Sequence, residues 1–134
     1  MGKTALIVDD SKSARVVLRR MLETLGYSNI AECEDGSQAV DLAETGTIDL
    51  IFMDMDMPVM DGITACKEIL LRMEQQAPDI IALTAHAFNE HRTECADAGM
   101  SHFIAKPIEK DAIRRAIQEV EHTIAQRQRD SCPA

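Results

Sequence analysis

Five side chains able to do chemistry stand at the ends of short apolar runs. Asp54 closes Asp49-Leu50-Ile51-Phe52-Met53, and the acidic pair Asp9-Asp10 closes Ala5-Leu6-Ile7-Val8. Ile80-Ile81-Ala82-Leu83 leads to Thr84, and His102-Phe103-Ile104-Ala105 leads to Lys106 with Pro107 behind it. Runs of this length read as buried strands, and an open parallel α/β sheet binds ligands in the crevice at the carboxyl ends of its strands. The acids should therefore meet at one edge, joined by a hydroxyl and an ammonium. Carboxylates gathered that closely repel one another, so the set calls for a divalent cation.

The elements that must deliver these groups follow from the pattern. Apolar runs at Thr4–Val8, Ile30–Cys33, Leu50–Met53, Ile80–Leu83 and Phe103–Ala105 alternate with segments of helical period, which predicts (βα)5 units around a parallel sheet. Gly26, Gly46 and Gly99 are placed to end helices in left-handed caps. The first helix, about Ser11 to Leu25, carries a core stripe of Ala14, Leu18, Met21 and Leu25, flanked by Val17 and Leu22. Val16 should point away from that stripe, among Arg15, Arg19 and Arg20. The last helix presents Ile113, Ala116, Ile117, Val120 and Ile124 on one face. Asn89 to Ala98 is polar nearly throughout, with mainly Cys95 and Ala98 to bury, so a fourth helix there should be weakly anchored. Beyond about Ala125 the chain is polar and without period. Residues 1–125 are read as the domain and 126–134 as a disordered tail.

Composition narrows the function classes. A chain of 134 residues suits one domain with a sizeable core. Its 23 acidic against 14 basic residues, net −9, disfavour a nucleic-acid surface, which needs clustered Lys and Arg. Three phenylalanines, one tyrosine and no tryptophan make a poor base-stacking platform, so a protein partner is expected. Cys33, Cys66, Cys95 and Cys132 are widely separated and form no metal-ligand spacing, which reads as reduced thiols. The only early apolar run, Ala5 to Val8, is too short for a signal peptide or membrane span, and a cytoplasmic location is expected.

The order acid pair, Asp, Thr, Lys-Pro, over about Lys3 to Ala125, resembles the receiver domain of two-component response regulators, in its chemotaxis-regulator-like form. Met53-Asp54-Met55-Asp56-Met57-Pro58-Val59-Met60-Asp61-Gly62 is similar to the family's phosphoacceptor loop, and Ala82-Leu83-Thr84-Ala85 to its switch strand. Ile80 to Ala87, followed by Ala98-Gly99-Met100, is similar to receivers of hybrid histidine kinases. The resemblance implies a flavodoxin-like, doubly wound sheet of strand order 2-1-3-4-5. It further implies that Asp54 accepts a phosphoryl group from a phosphohistidine on a histidine kinase or histidine phosphotransfer protein, and hydrolyses it slowly. Mg2+ would be held by Asp10, Asp54 and the backbone carbonyl of Asp56, with Asp9 reaching it through water. This all-oxygen set suits Mg2+ better than Zn2+.

By the same resemblance Lys106 pairs with Asp54 and then with a phosphoryl oxygen, Thr84 donates its hydroxyl to another, and Phe103 is the aromatic switch. Asp56 and His86 occupy the positions that tune the lifetime of the acyl phosphate. Lys12, Ala14, Arg15 and Val16 are the candidates for docking the phosphodonor. The surface of the fourth helix, fifth strand and fifth helix is the output face for a downstream protein. No effector domain fits beside the receiver in this length, so the chain is read as a stand-alone receiver or one cut from a longer protein.

Two other functions compete. Asp54-Met55-Asp56 also looks like the nucleophile and acid of haloacid-dehalogenase-like phosphatases, but here the acid pair precedes the nucleophile, and Pro58 stands where that family carries Thr or Val. A receiver fold used only as a non-phosphorylated binding module is the second, and no motif position is missing to favour it. A nucleotide or flavin binder fails because Asp9-Asp10 would repel a pyrophosphate.

Overall fold

The computed structural model describes residues 4–45, 47–55, 62–73, 78–84, 93, 96–100, 102–105 and 109–131, with side chains of the last helix described as far as Val120. Five parallel strands, β1 (Thr4–Val8), β2 (Asn29–Cys33), β3 (Leu50–Asp54), β4 (Asp79–Thr84) and β5 (His102–Ala105), form one sheet of order β2-β1-β3-β4-β5. Helices α1 (Lys12–Thr24), α2 (Gly36–Ala43), α3 (Gly62–Met73) and a C-terminal helix (Lys110–Ser131) complete the described elements. Each predicted strand is present. Gly46, most of the expected fourth helix, Cys95, Cys132 and the side chain of Ile124 lie outside the described residues.

The sheet is apolar on both faces, and its two cores divide by strand alternation. Leu6, Val8, Ile51, Met53, Ile80 and Ala82 pack with Ala39, Val40, Ala65, Cys66 and Ile69, placing α2 and α3 on one face. Ala5, Ile7, Phe52, Ile81 and Leu83 pack with Leu18, Leu22, Ile113 and Ala116, placing α1 and the C-terminal helix on the other. Both faces covered is what a parallel sheet requires, and it makes this the flavodoxin-like, doubly wound arrangement.

Two details depart from the sequence pattern. In α1 the fully buried residues are Leu18 and Leu22, whereas Ala14, Met21 and Leu25 are half-buried and Val17 is 49% exposed. The buried stripe is thus centred on an i, i+4 pair, and Val17 joins Val16 (38% exposed) on the outer surface. The C-terminal helix runs to Ser131, so residues 126–131 are helical where an irregular tail was expected. Gln and Arg are good helix formers, and a helix already nucleated extends one hydrogen bond at a time.

Helix ends are held locally. Leu25 caps α1 and is followed by Gly26 at φ +103, while Gly99 lies at φ +98, both in the left-handed region predicted for them. A Cβ at Gly99 would meet only Leu70 Cδ1, the end of a flexible side chain that can shift, so it is conformation that favours glycine there. Asp35 caps α2: its carboxylate accepts the Gln38 N–H at 2.9 Å and the Ser37 hydroxyl at 2.8 Å. The Gln38 and Ser37 bonds hold its carboxyl below the ordinary value. A depressed carboxyl stabilises the fold above its unfolded value and loses that contribution as pH falls through its folded value. Asp35→Ala should therefore cost about 1 kcal/mol at neutral pH, and the gap between wild type and variant should shrink below about pH 4 in urea titrations.

Candidate functional site

The carboxyl ends of β1 and β3 lie side by side, with Val8 opposite Met53. The next residues along the chain are Asp9 and Asp54, so parallel pairing alone brings the two carboxylates together. Ligand oxygens of Asp9, Asp10 and Asp54 all lie within 4.8 Å of one another. Asp9 and Asp54 are buried and Asp10 is exposed, which leaves the cluster open to solvent on one side. Thr84, wholly buried, ends β4 one position beyond Leu83, the register partner of Asp54. Thr84 thus ends its strand at the same sheet edge as the three acids. Lys106, Asp56 and His86, each assigned a role above, lie outside the described residues.

The turn after β1 is held from three sides. The Asp9 N–H donates to the Cys33 carbonyl at 3.2 Å, continuing the β1–β2 pairing past the strand end. Asp9 Oδ1 accepts the Ser11 N–H at 2.9 Å, a side-chain-to-backbone bond of the Asx-turn kind. The Asp9 carbonyl accepts Arg15 Nη1 at 2.7 Å. Ser11 is also the N-cap of α1, so the acid pair and the start of that helix form one rigid unit.

The docking candidates separate in their surroundings. Lys12 and Val16 are exposed, and Ala14 is half-buried. Arg15 is folded inward: its side chain is 11% exposed, with Nε 3.2 Å from Glu32 Oε1 and Nη2 3.8 Å from Glu34 Oε1. Glu32 is held as well by Arg19, 2.7 Å away. These glutamates were missed in the sequence. Their signal is faint but present, since two arginines four apart on a helix face two acids two apart, one on the neighbouring strand and one just past its end.

Phe103, opposite Ala82 in the β4–β5 pairing, is half-buried against the core on the α2 and α3 side. It also lines a groove of about 480 Å³ between β5 and the C-terminal helix, with Ala112, Glu109 and Arg115. Across that groove His102 Nδ1 stands 3.3 Å from Glu119 Oε2. Among the described residues, no helix is long and apolar enough to cross a membrane.

Cys33 borders the site without the traits of a nucleophile. Burial, aided by the nearby Asp35 charge, pushes its thiol up to about 12. At pH 8 it should react with iodoacetamide roughly a thousandfold more slowly than an ordinary thiol, and peptide mapping should find it modified only after unfolding.

Comparison with known proteins identifies the arrangement. The family model of the response regulator receiver domain matches residues 5–118. The chain is 37% identical over 117 residues to the signal transduction histidine-protein kinase BarA of Escherichia coli K12, covering 87% of this chain but only 13% of BarA. It is 38% identical over 119 residues to the chemotaxis protein CheY of Bacillus subtilis, covering 89% of this chain and 98% of that protein. Among solved structures, the receiver domain of the sensor histidine kinase PA1611 from Pseudomonas aeruginosa PAO1 superposes with a TM-score of 0.79 at 38% identity, covering 88% of this chain and 96% of that one. That structure holds a magnesium ion coordinated in its active site cleft.

Proposed function

The chain belongs to the response regulator receiver domain family, and from that premise we propose that it is the phosphoacceptor of a two-component phosphorelay, with Asp54 as the residue modified. The observation that carries this reading is the buried Asp54 carboxylate at the end of a central strand, with Asp9 and Asp10 within 4.8 Å. Three oxygen donors at that spacing fit Mg2+, and Asp10, Asp54 and Asp9 are the described residues that would hold it. When bound, the ion neutralises charge on the carboxylates and on the transferring phosphoryl group.

The rest is done by the chain itself. A carboxylate oxygen of Asp54 attacks phosphorus as the bond from phosphorus to the donor imidazole nitrogen breaks, the electron pair returning to that nitrogen. The product is an acyl phosphate at the crevice edge. Burial of Asp54 at the end of a central strand restrains the nucleophile, and positioning is most of what phosphoryl transfer requires. Thr84, at the end of the neighbouring strand, is assigned the hydroxyl that donates to a phosphoryl oxygen, and Lys106 the matching ammonium. Water attack on phosphorus later breaks the bond to Asp54 and restores the carboxylate, at a rate that Asp56 and His86 tune.

The partners are proteins. A histidine kinase or histidine phosphotransfer protein supplies the phosphoryl group, docking on α1 around Lys12, Ala14 and Val16; the similarity to receivers of BarA and PA1611, both histidine kinases, supports a relay. The groove beside Phe103 belongs to the output face, which a downstream protein reads after Thr84 and Phe103 shift. A cytoplasmic location goes with this reading and with the free thiols of Cys33 and Cys66.

Intact mass after incubation with acetyl phosphate tests the function. One phosphoryl group should be gained, only with Mg2+ present, and Asp54→Asn should gain none. Steady phosphate release without an adduct would instead indicate fast self-hydrolysis or a phosphatase, and no reaction a receiver used only for binding.

A further inference from the structure

We propose that Arg15 is a positioning residue for the acidic site: by gripping the backbone carbonyl of Asp9 it sets how the Asp9-Asp10 turn presents its carboxylates to a divalent cation. The inference rests on the reading that the triad takes up Mg2+, and it names a residue outside the triad on which that uptake depends.

The Asp9 carbonyl and the Asp10 N–H belong to one planar peptide unit. A donor fixed on that carbonyl therefore fixes the direction in which the chain leaves for Asp10. The Asp9 N–H and Oδ1 are engaged by Cys33 and Ser11, which hold the near side of the turn. The plane leading to Asp10 is held by Arg15 Nη1 at 2.7 Å. Asp10 is the exposed member of the triad, so packing does little to orient it, and the backbone before it has the larger share.

Arg15 is itself unusually constrained for a cation on an outer helix. Its guanidinium reaches the Asp9 carbonyl, Glu32 and, at longer range, Glu34 from one planar fork, an arrangement a single ammonium cannot reproduce. Glu32 is anchored in turn by Arg19, which also donates to the Ile30 carbonyl at 3.3 Å. The grip on Asp9 is thus braced against β2.

The alternative is a clip that joins α1 to β2 and serves stability alone. Charge separates the two ideas by sign. A guanidinium bonded to the backbone of the acidic turn opposes a cation there, so its removal would by itself tighten Mg2+ binding. A positioning role predicts the reverse.

The experiment is calorimetric titration of the full chain with Mg2+, for wild type, Arg15→Ala and Arg15→Lys, each checked for folding in chelator by urea denaturation. Arg15→Ala should bind Mg2+ about tenfold more weakly despite the lost positive charge, and Arg15→Lys, which keeps the charge without the fork, should also bind more weakly. Unchanged or tighter binding by folded Arg15→Ala would overturn the proposal. Should that variant not fold, Arg15→Lys decides, and wild-type affinity in it would overturn the proposal equally. Failure of wild type itself to bind Mg2+ would remove the metal reading and this inference with it, an outcome distinct from equal binding by all three proteins.

Discussion

Asp9 and Asp54 are buried carboxylates at the ends of adjacent strands, with Asp10 beside them inside a 4.8 Å cluster, and the repulsion among them is the constraint that the surrounding structure must withstand. At the effective dielectric of a protein, two unit charges about 4 Å apart interact by about 4 kcal/mol, comparable with much of a small domain's net stability. A chain can hold such a cluster only if the elements bearing it are otherwise firmly placed. Here β3, which ends in Asp54, is buried along its whole length between β1 and β4. The phosphoacceptor end of the cluster is carried by the most central strand of the sheet, where apolar contacts are available on both faces.

Register converts that core into a site. In a sheet apolar on both sides, a slip by one residue exchanges one buried face for the other without exposing either, so polarity along the strand middles discriminates weakly. The polar residues that end the runs discriminate better. Asp9 beyond Val8, Asp54 opposite Leu83, and Thr84 opposite Ala105 each stop an apolar strand at the crevice edge, and slipping any strand inward would draw one of them into the core. Burial of an unpaired polar group costs far more than a lost apolar contact. The chemical residues thus help to fix the alignment that brings them together.

This explains why the triad and the strands were legible in the sequence while α1 was read only in part. Five apolar runs with polar stops are an unambiguous linear signal, and β1 begins and ends where its run does. Helical periodicity, by contrast, locates a face only to within about one residue, and the true stripe on Leu18 and Leu22 left Val17 outside. Arg15 was harder still. Its sequence neighbours suggest a solvent-facing cation, whereas its principal acceptor is the Asp9 backbone carbonyl, a group every residue carries and no letter reveals. The reading of Lys106 rests on the sequence alone, because Lys106 and Pro107 lie outside the described residues.

On the proposed function, strand order separates input from output. The α1 surface with Val16 and Val17 follows directly from the acid turn, so a donor docked there stands within a helical turn of the residues that shape the site. The groove of Phe103 and Glu109 lies at the opposite edge, beside β5. Only β4 intervenes between the phosphoacceptor strand and that edge, and its last residue, Thr84, pairs with Ala105, which lines the groove. A displacement of Thr84 toward an acyl phosphate would act on β5 through the strand ladder itself. On that reading input and output need no common surface: one helix would serve the donor, one strand would carry the change, and the buried carboxylate lies between them.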